Sequence, residues 1–518
     1  MTGPTRGREA VKDHDFVIVG GGTAGCVLAA RLSQDPGVRV LLLEAGNSSP
    51  ADVIDAAASW PQLTGSEADW GGVTIPQATA GPVSYPRGKV LGGSGAINAM
   101  AHVRGHAGIY DAWEAAGAHG WGFTGLLPYF RRSEHADGDR DRTLRGVGGP
   151  VRVAPVAETH RHPAASAFAE ALVALGYPVT GDLSGRRQEG VAWPDLAIDA
   201  GGHRVSSASS YLGPVLDREN LTVRTGCHVT RLALRDGRCT GVSYLRDSRS
   251  ETAHAAAEVI VCAGAVGTPQ LLMLSGIGPA GHLRDLGIEV TANLPGVGSN
   301  LQDHPVAMCC YSCAVPLPPS AYNHGETYAA LRSALARGWP DLHLFPILLP
   351  VAPPGQHDPG IRFALVAGVT DPRSRGTVRL ASADPAAAPL IDPGFLTEAA
   401  DLDRLVTGLG IIRDAAVGAA FARLGASEVR PGPGTRGSDE LRDWVRSTVG
   451  SYYHAAGTCR IGPAADPGAV TDPQLRVHGI TGLRLADASV MPSVPNAHPN
   501  ATVLAVAEKA AALITSGL

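Results

Sequence analysis

Residues 15 to 46 read DFVIVGGGTAGCVLAARLSQDPGVRVLLLEAG, and no other stretch limits the possible folds so sharply. Phe16–Val19 is a short apolar run of the kind buried on both faces of a parallel sheet. Gly20, Gly22 and Gly25 follow it as GxGxxG. AGCVLAARLSQ then has helical apolar spacing, and VRVLLLE reads as a second buried strand ending in Glu44. Each glycine has a separate task. Gly20 permits the tight turn, Gly22 lets backbone approach a pyrophosphate, and Gly25 lets helix and strand pack closely. The helix N-terminus turns free N–H groups and partial positive charge toward the phosphates. Glu44, 22 residues beyond Gly22, is placed to accept hydrogen bonds from an adenosine ribose, and an acid there argues against a 2′-phosphate. A dinucleotide is the expected ligand; on this unit alone FAD and NAD are both open.

The rest of the composition narrows the class by exclusion. At about 150 residues per domain, a 518-residue chain predicts two to four domains. It is 44% hydrophobic, enough for large cores and outside the signature of disorder. With 18% charged residues and a formal net charge of −5, it has no general attraction for nucleic acid or anionic lipid. The N-terminal MTGPTRGREAVKDHD lacks the apolar core of a secretory signal. The longest apolar runs are strand-length, far short of the roughly 20 residues that span a bilayer. A cytoplasmic protein without nucleic-acid or membrane partners is expected. MCCYSC (Cys309, Cys310, Cys313) is the one cysteine cluster, but adjacent cysteines on a strand point to opposite faces and no second pair follows at zinc spacing. No metal site is expected. HADGDRDRTLRGVGG, residues 135 to 149, reads as a surface loop.

The segment YPRGKVLGGSGAINAMAHVRG, residues 85 to 105, separates the two cofactors. Gly92, Gly93, Ser94 and Gly95 form a small-residue loop running into an apolar helical stretch, a second place where backbone can lie against a flat or anionic group. Arg87, Lys89, Asn98 and Arg104 add polar groups at short intervals. This segment resembles the first signature of the glucose–methanol–choline (GMC) family of flavin oxidoreductases, and GAVGTPQLLMLSGIGP (264 to 279) resembles the second. PGVGSNLQDH (295 to 304), SRGTVRLASADP (374 to 385) and LRLADASVMPSVPNAHPNATVLAVAEKAA (483 to 511) extend the likeness from end to end, in order. The cofactor it implies is FAD. By the same resemblance Gly20, Gly22, Thr23, Ala24, Gly25, Glu44 and Ala45 would hold the ADP half. Val90, Gly93 and the segment Asn98, Ala99, Met100, Ala101 would lie along the flavin. Val229 matches the position whose backbone meets adenine. Asp487 and Ala488 would contact the pyrophosphate and ribityl region, and His498, Pro499 and Asn500 would border the isoalloxazine. Some members attach FAD through a histidine in the first signature; the matching residue here is Ile97, so the expected FAD is non-covalent.

SYYHAAGTCRIG, residues 451 to 462, resembles the family's catalytic segment. Moving a hydride from an alcohol carbon to flavin N5 leaves a carbonyl, and the hydroxyl proton needs an acceptor. A neutral imidazole with an unperturbed pKa near 6.5 can take it, and His454 occupies the matching place. His498, in HPNAT, is the second group, expected to bind and orient the hydroxyl. The sequence leaves open which of the two is the base, with His454 preferred. Tyr453 is expected to wall the pocket and Tyr452 to be an ordinary packing aromatic. The other histidines considered, among them His102, His106, His160, His162, His228 and His304, carry no assignment. Asp384 and Asp392 read as turn formers.

These readings assemble into an α/β chain with a discontinuous Rossmann-like FAD-binding domain (1–155, 205–306 and 475–518). The α+β substrate domain (156–204 and 307–474) is built on an antiparallel sheet. DLHLFPILLPV and GTVRLAS supply alternating segments for that wall, and Phe345 is a pocket residue. The expected activity is FAD-dependent oxidation of a small, primary alcohol: aromatic, aliphatic or sugar-like, specialised metabolites such as amino sugars included. Either O2 or another acceptor could take the electrons. The rival activities on this scaffold are cyanohydrin cleavage and light-driven decarboxylation. A non-enzymatic flavin-binding role fits least, because both histidine positions are filled.

Overall fold

The structure, a computed structural model, describes residues 14–47, 51–77 and 80–517. Strand His14–Val19 leads through Gly20–Gly22 into helix Thr23–Leu32 and back to strand Val40–Leu43. All four residues of the second strand are buried, as the unbroken apolar run requires. The two strands pair in parallel, Phe16 beside Val40 and Val19 beside Leu43. Leu221–Arg224 extends the sheet beyond Val40–Leu43, and the end of strand Arg249–Val261 extends it beyond His14–Val19, followed by Leu483–Leu485. Register places Val19 beside Val261 and Val261 beside Leu485, while Leu43 lies beside Arg224. Five strands drawn from three distant parts of the chain therefore end along one edge. The loops that leave them, at Gly20, Glu44, Thr225, Cys262 and Ala486, gather where α/β sheets bind ligands.

Strand Arg249–Val261 belongs to two sheets. Its last residues, VIV, are fully covered in the parallel sheet. Its first half, exposed apart from Glu251 and Ala253, pairs antiparallel with Arg238–Arg246, which pairs in turn with His228–Arg235. Helix Pro499–Thr515 crosses helix Thr23–Leu32. Between them the fully buried Glu508 accepts from Arg31 Nε and Nη2 and from Tyr211 Oη at 2.8 Å. Removing one partner from such a buried cluster costs about 3–5 kcal/mol, so the two helices are fastened to each other at this crossing.

The second sheet is antiparallel, in the order Ser427–Arg430, Pro305–Ser312, Phe363–Val369, Leu342–Ile347, Tyr328–Leu331, Gly190–Ala192. Strand alternation divides its side chains. Leu342 and Leu344 join the core under helices Pro163–Ala174 and Ala399–Ala416, each contributing about 1.5–3 kcal/mol by burial. His343, Phe345 and Ile347 point the other way, toward the parallel-sheet half. The same alternation sends Cys309 into the helix-side core and Cys310 to the opposite face. No helix among the described residues is long and apolar enough to cross a membrane.

Three local expectations are corrected. GTVRLAS does not join the wall: Thr377–Arg379 pairs with Leu390–Asp392 in a separate two-stranded ribbon. The apolar stretch after Gly92–Gly95 is a single turn, Ser94–Ile97. It stops because Asn98 turns extended, its carbonyl taken by Arg204 Nη1 at 2.6 Å, and Met100 adopts a φ of 56°. Residues 135–149 are mostly loop, but the loop is anchored inward. Arg145 is wholly buried because three carboxylates from outside the loop, Glu134, Asp182 and Asp195, pair with its guanidinium.

Candidate active site

The turn after the first strand is shaped by glycine. Gly20 has a φ of 98°, and a Cβ there would lie 2.6 Å from the Cys262 carbonyl oxygen. Gly93, with a φ of 54°, passes so close to Gly22 that its own Cβ would lie 2.6 Å from the Gly22 Cα. Two backbone segments thus lie against each other, tied by Gly92 N–H donating to Gly21 O at 2.7 Å. The helix that begins at Thr23 has no side-chain cap at Gly22, so its first N–H groups are left for an anion. Thr23 Oγ1 donates to Asn500 Oδ1 at 3.0 Å, joining this N-terminus to that of helix Pro499–Thr515 across 477 residues. Ala24 and Gly25 are buried behind the turn.

Glu44 closes the other end. One carboxylate oxygen accepts from Gly21 N and the other from Gly46 N, both at 2.7 Å. Burial pushes the carboxyl up to about 7, against the lowering effect of those N–H groups. Gly46, next to Ala45, abuts the backbone of Lys89 and Val90. Cys227 N donates to Glu44 O at 2.8 Å, which brings Val229 to the same end, and a bulge interrupts its strand between Val229 and Arg231. Asp487 spends its oxygens on Gly264 N, Thr268 Oγ1 and Ser489 N, fixing Ala488 at the head of a short 3-10 turn. Ala99 O accepts from Asn323 Nδ2 at 2.8 Å, and Ala101 bridges to Leu196, so the Asn98–Ala101 run is tied to other elements. An uncapped helix start, two interleaved glycine turns and a buried acid on one edge suit the pyrophosphate, ribose and ring of FAD.

At the far end of this cleft stands a cluster of rings. His454 and His498 have centroids 5.1 Å apart at 75°. Tyr452 stacks on His454 at 4.3 Å and on Phe345 at 4.7 Å, and Tyr328 meets His498 edge-on at 5.1 Å. His343 lies 5.9 Å from His498. Both ring nitrogens of His498, buried and heading the helix that starts at Pro499, have no hydrogen-bond partner among the described residues. Burial dominates the electrostatics: His454 and His498 are held well below the ordinary histidine range, His343 falls to about 4 and His304 to about 3. Neighbouring imidazoles deepen the shift for His454 and His498. Burial therefore favours the neutral form of all four rings.

Backbone pairing explains the placement. Pro305 and Val306 pair with Ser451 and Gly450, Tyr452 N donates to His304 O, and Gln302 pairs with Ala456. Asp303 Oδ1 accepts from the backbone N–H groups of both His304 and His454 at 2.8 Å, while Oδ2 takes the Ser451 hydroxyl. At Tyr453 the chain leaves the extended conformation, with a φ of 67°, and the Tyr452 and His454 rings stack on each other. Tyr453, expected to wall the pocket, points to the opposite side and is 41% exposed, and Tyr452 stands in the ring cluster instead. His304 and His343, given no role from sequence, also stand there. Among the remaining histidines, His106 and His162 accept backbone N–H groups at helix starts, and His102 pairs with Glu134.

Comparison with known proteins agrees with this geometry. The GMC oxidoreductase family description matches residues 14–306 in its N-terminal part and 372–507 in its C-terminal part. The chain is 37% identical to the mitochondrial choline dehydrogenase of Homo sapiens, over 98% of this chain and 91% of that one. It is 38% identical to the oxygen-dependent choline dehydrogenase of Rhizobium johnstonii, over 96% and 94%. Among solved structures, pyridoxine 4-oxidase from Mesorbium loti superposes with a TM-score of 0.91 at 35% identity, covering 97% of this chain and 99% of that one. A fungal aryl-alcohol oxidase gives 0.85 at 27%, covering 98% and 100%. The chain belongs to the GMC oxidoreductase family, and is an FAD-dependent oxidoreductase of alcohol donors.

Proposed function

We propose that this enzyme oxidises a small primary alcohol to the aldehyde, with His454 accepting the hydroxyl proton and His498 orienting the hydroxyl. FAD, bound without a covalent link, supplies the hydride acceptor at N5. The observation that carries the reading is the pair of adjacent, neutral, buried imidazoles at the end of the glycine cleft, one of them with both nitrogens unpaired. An alcohol oxygen set between them would donate its proton to one ring and accept a hydrogen bond from the other. As the C–H bond gives up its hydride, the O–H bond gives its proton to His454, and the product is the carbonyl. A second positive ring beside the first would be repelled, so the pair takes one proton at a time.

The FAD-binding half is proposed to comprise 1–155, 205–306 and 475–518, and the substrate half 156–204 and 307–474, with the reacting alcohol between them. The wall over the histidines is aromatic: Phe345, Tyr328 and Tyr452. The carboxylate nearest this segment, Asp303, is spent on Ser451 and two backbone N–H groups. A neutral alcohol on a flat or ring-bearing skeleton is therefore favoured. The choline dehydrogenases at 37–38% identity support a second substrate, choline, whose cation would rest on the aromatic faces. An anaerobic panel of ring-bearing, aliphatic and sugar-like primary alcohols plus choline, scored by bleaching of the flavin, separates these. Admitting air then distinguishes oxidase from dehydrogenase by the speed of recolouring. Retention of full flavin colour under every alcohol, with turnover of a cyanohydrin, would replace the reading with a lyase.

A further inference from the structure

The segment that carries His454 is longer than the segment it pairs with. Pro305 pairs with Ser451 and Gln302 with Ala456, so five steps along one face three along the other. A bulge of this kind bends its strand and re-aims the side chains it carries. Tyr453, inside the bulge, adopts a φ of 67°. A bulky residue enters that region only at a cost, and stays there only where its neighbours over-determine the conformation.

Those neighbours are identifiable. Tyr453 N donates to Ser451 Oγ at 2.7 Å, and the Ser451 hydroxyl donates in turn to Asp303 Oδ2. His454 N donates to Asp303 Oδ1 at 2.8 Å. Both N–H groups are thus held from within the paired segments. The Tyr453 carbonyl is held from elsewhere: Arg87 Nη1 donates to it at 2.7 Å. This is the guanidinium's one hydrogen bond among the described residues, since Nε and Nη2 have no partner there. Arg87 is itself anchored. Its guanidinium lies 4.4 Å from the centroid of the buried Tyr85 ring. Its N–H donates to Asp69 Oδ1 at 2.8 Å, and its carbonyl accepts from Trp70 N at 2.9 Å. Three residues on, Val90 O accepts from Gly93 N, the glycine that lies against Gly22. One side chain therefore ties the glycine cradle's own segment to the peptide group that leads into His454.

We propose that Arg87 is a positioning residue that locks the Tyr453 bulge and so sets where the His454 imidazole stands at the end of the cleft. The inference rests on His454 accepting the alcohol proton. Arg87 acts through the Tyr453–His454 peptide group. A displaced reacting group costs rate more than binding, so the loss should fall on the limiting rate of flavin reduction.

The test is anaerobic stopped-flow reduction of the FAD-loaded enzyme by an alcohol that bleaches it. Arg87→Ala should lower the limiting rate by about 10²-fold, the scale for a misplaced reacting group. Flavin content and the half-saturating alcohol concentration should stay within about threefold of wild type. Glycine adopts positive φ freely, so adding Tyr453→Gly to Arg87→Ala should recover at least about fivefold of the lost rate. A role through the Arg87 charge, or through general stability, predicts no such recovery. Equal rates with and without Tyr453→Gly overturn the proposal. So does an Arg87→Ala enzyme that reduces at the wild-type rate, or one that changes only in half-saturation. His454→Phe separates the two ideas. If it is slow while Arg87→Ala is as fast as wild type, the positioning role falls and the base assignment stands. If His454→Phe reduces normally, the base assignment falls and this inference with it. Should Arg87→Ala fail to retain FAD, Arg87→Gln carries the same comparison, because it keeps the stem beside Tyr85 but is too short to reach the Tyr453 carbonyl. Tyr453→Gly should speed its reduction, and an unchanged rate overturns the proposal.

Discussion

Tyr452 lies face to face with His454, 4.3 Å between centroids and 25° between planes, while the adjacent Tyr453 turns away to 41% exposure. The two tyrosines should therefore behave differently. Tyr452→Ala removes the surface that holds the imidazole in its plane and opens space between His454 and Phe345. It is expected to slow flavin reduction by about 10-fold or more, on the principle that small misplacements of a reacting group are costly. Tyr453→Ala should remain within about threefold. Stopped-flow reduction of both variants checks this, and equal effects would contradict the placement.

Among the described residues His498 has no partner for either ring nitrogen, so its hydrogen-bonding capacity is left for the substrate hydroxyl. His498→Asn keeps a donor and an acceptor and should be mild, within about 10-fold in kcat/KM. His498→Phe keeps the ring but leaves nothing to pair with the hydroxyl, and should lose about 10²-fold. Steady-state kinetics of the two variants gives the comparison.

Acid should weaken the fold through His343, which is buried beside Tyr328 and His498 and near His304. Burial lowers its pKa to about 4, from the ordinary 6.5. Between pH 6.5 and about 4 the unfolded chain binds a proton that the folded chain refuses, so stability is present above that window and falls as the pH falls through it. His343→Phe abolishes this term. Glu44, whose pKa is raised, opposes the trend but contributes alike in both proteins. Urea melts at pH 7 and 4.5 should show wild type losing about 2–3 kcal/mol relative to the variant. Parallel pH curves would contradict the buried neutral state.

The glycine cradle makes a cofactor prediction. Gly93→Ala puts a methyl group 2.6 Å from the Gly22 Cα, at a φ of 54°, where the backbones have no room to part. Flavin affinity should fall by about 10²-fold, with the wild-type enzyme releasing its FAD intact on acid or denaturant treatment because no covalent bond forms at Ile97. Fluorescence of released flavin measures both, and flavin that stays with the denatured chain would refute the non-covalent reading.

The first 30 residues of the fold were legible because their signal is local: a buried strand, three spaced glycines, an apolar helix face and a terminal acid each constrain neighbours a few residues away. The wall strand was legible for the same reason, since alternation sorts Leu344 from Phe345 without knowing the partner strand. Tyr452 was not legible over Tyr453, because the chain turns at Tyr453 with a φ of 67° and strand alternation does not apply. His304 and His343 were not legible. His304 reaches His454 across 150 residues, and nothing within either segment announces the contact. The one-turn helix after Gly93 was hidden likewise, because Arg204 ends it from a distance.

Anaerobic mixing of the FAD-loaded enzyme with an alcohol that bleaches it, repeated with His454→Ala, weighs the proton acceptor directly. The variant should bind FAD and alcohol yet bleach at least about 10²-fold more slowly, with the rate partly restored by added imidazole. Bleaching at the wild-type rate would show that His454 does not accept the proton.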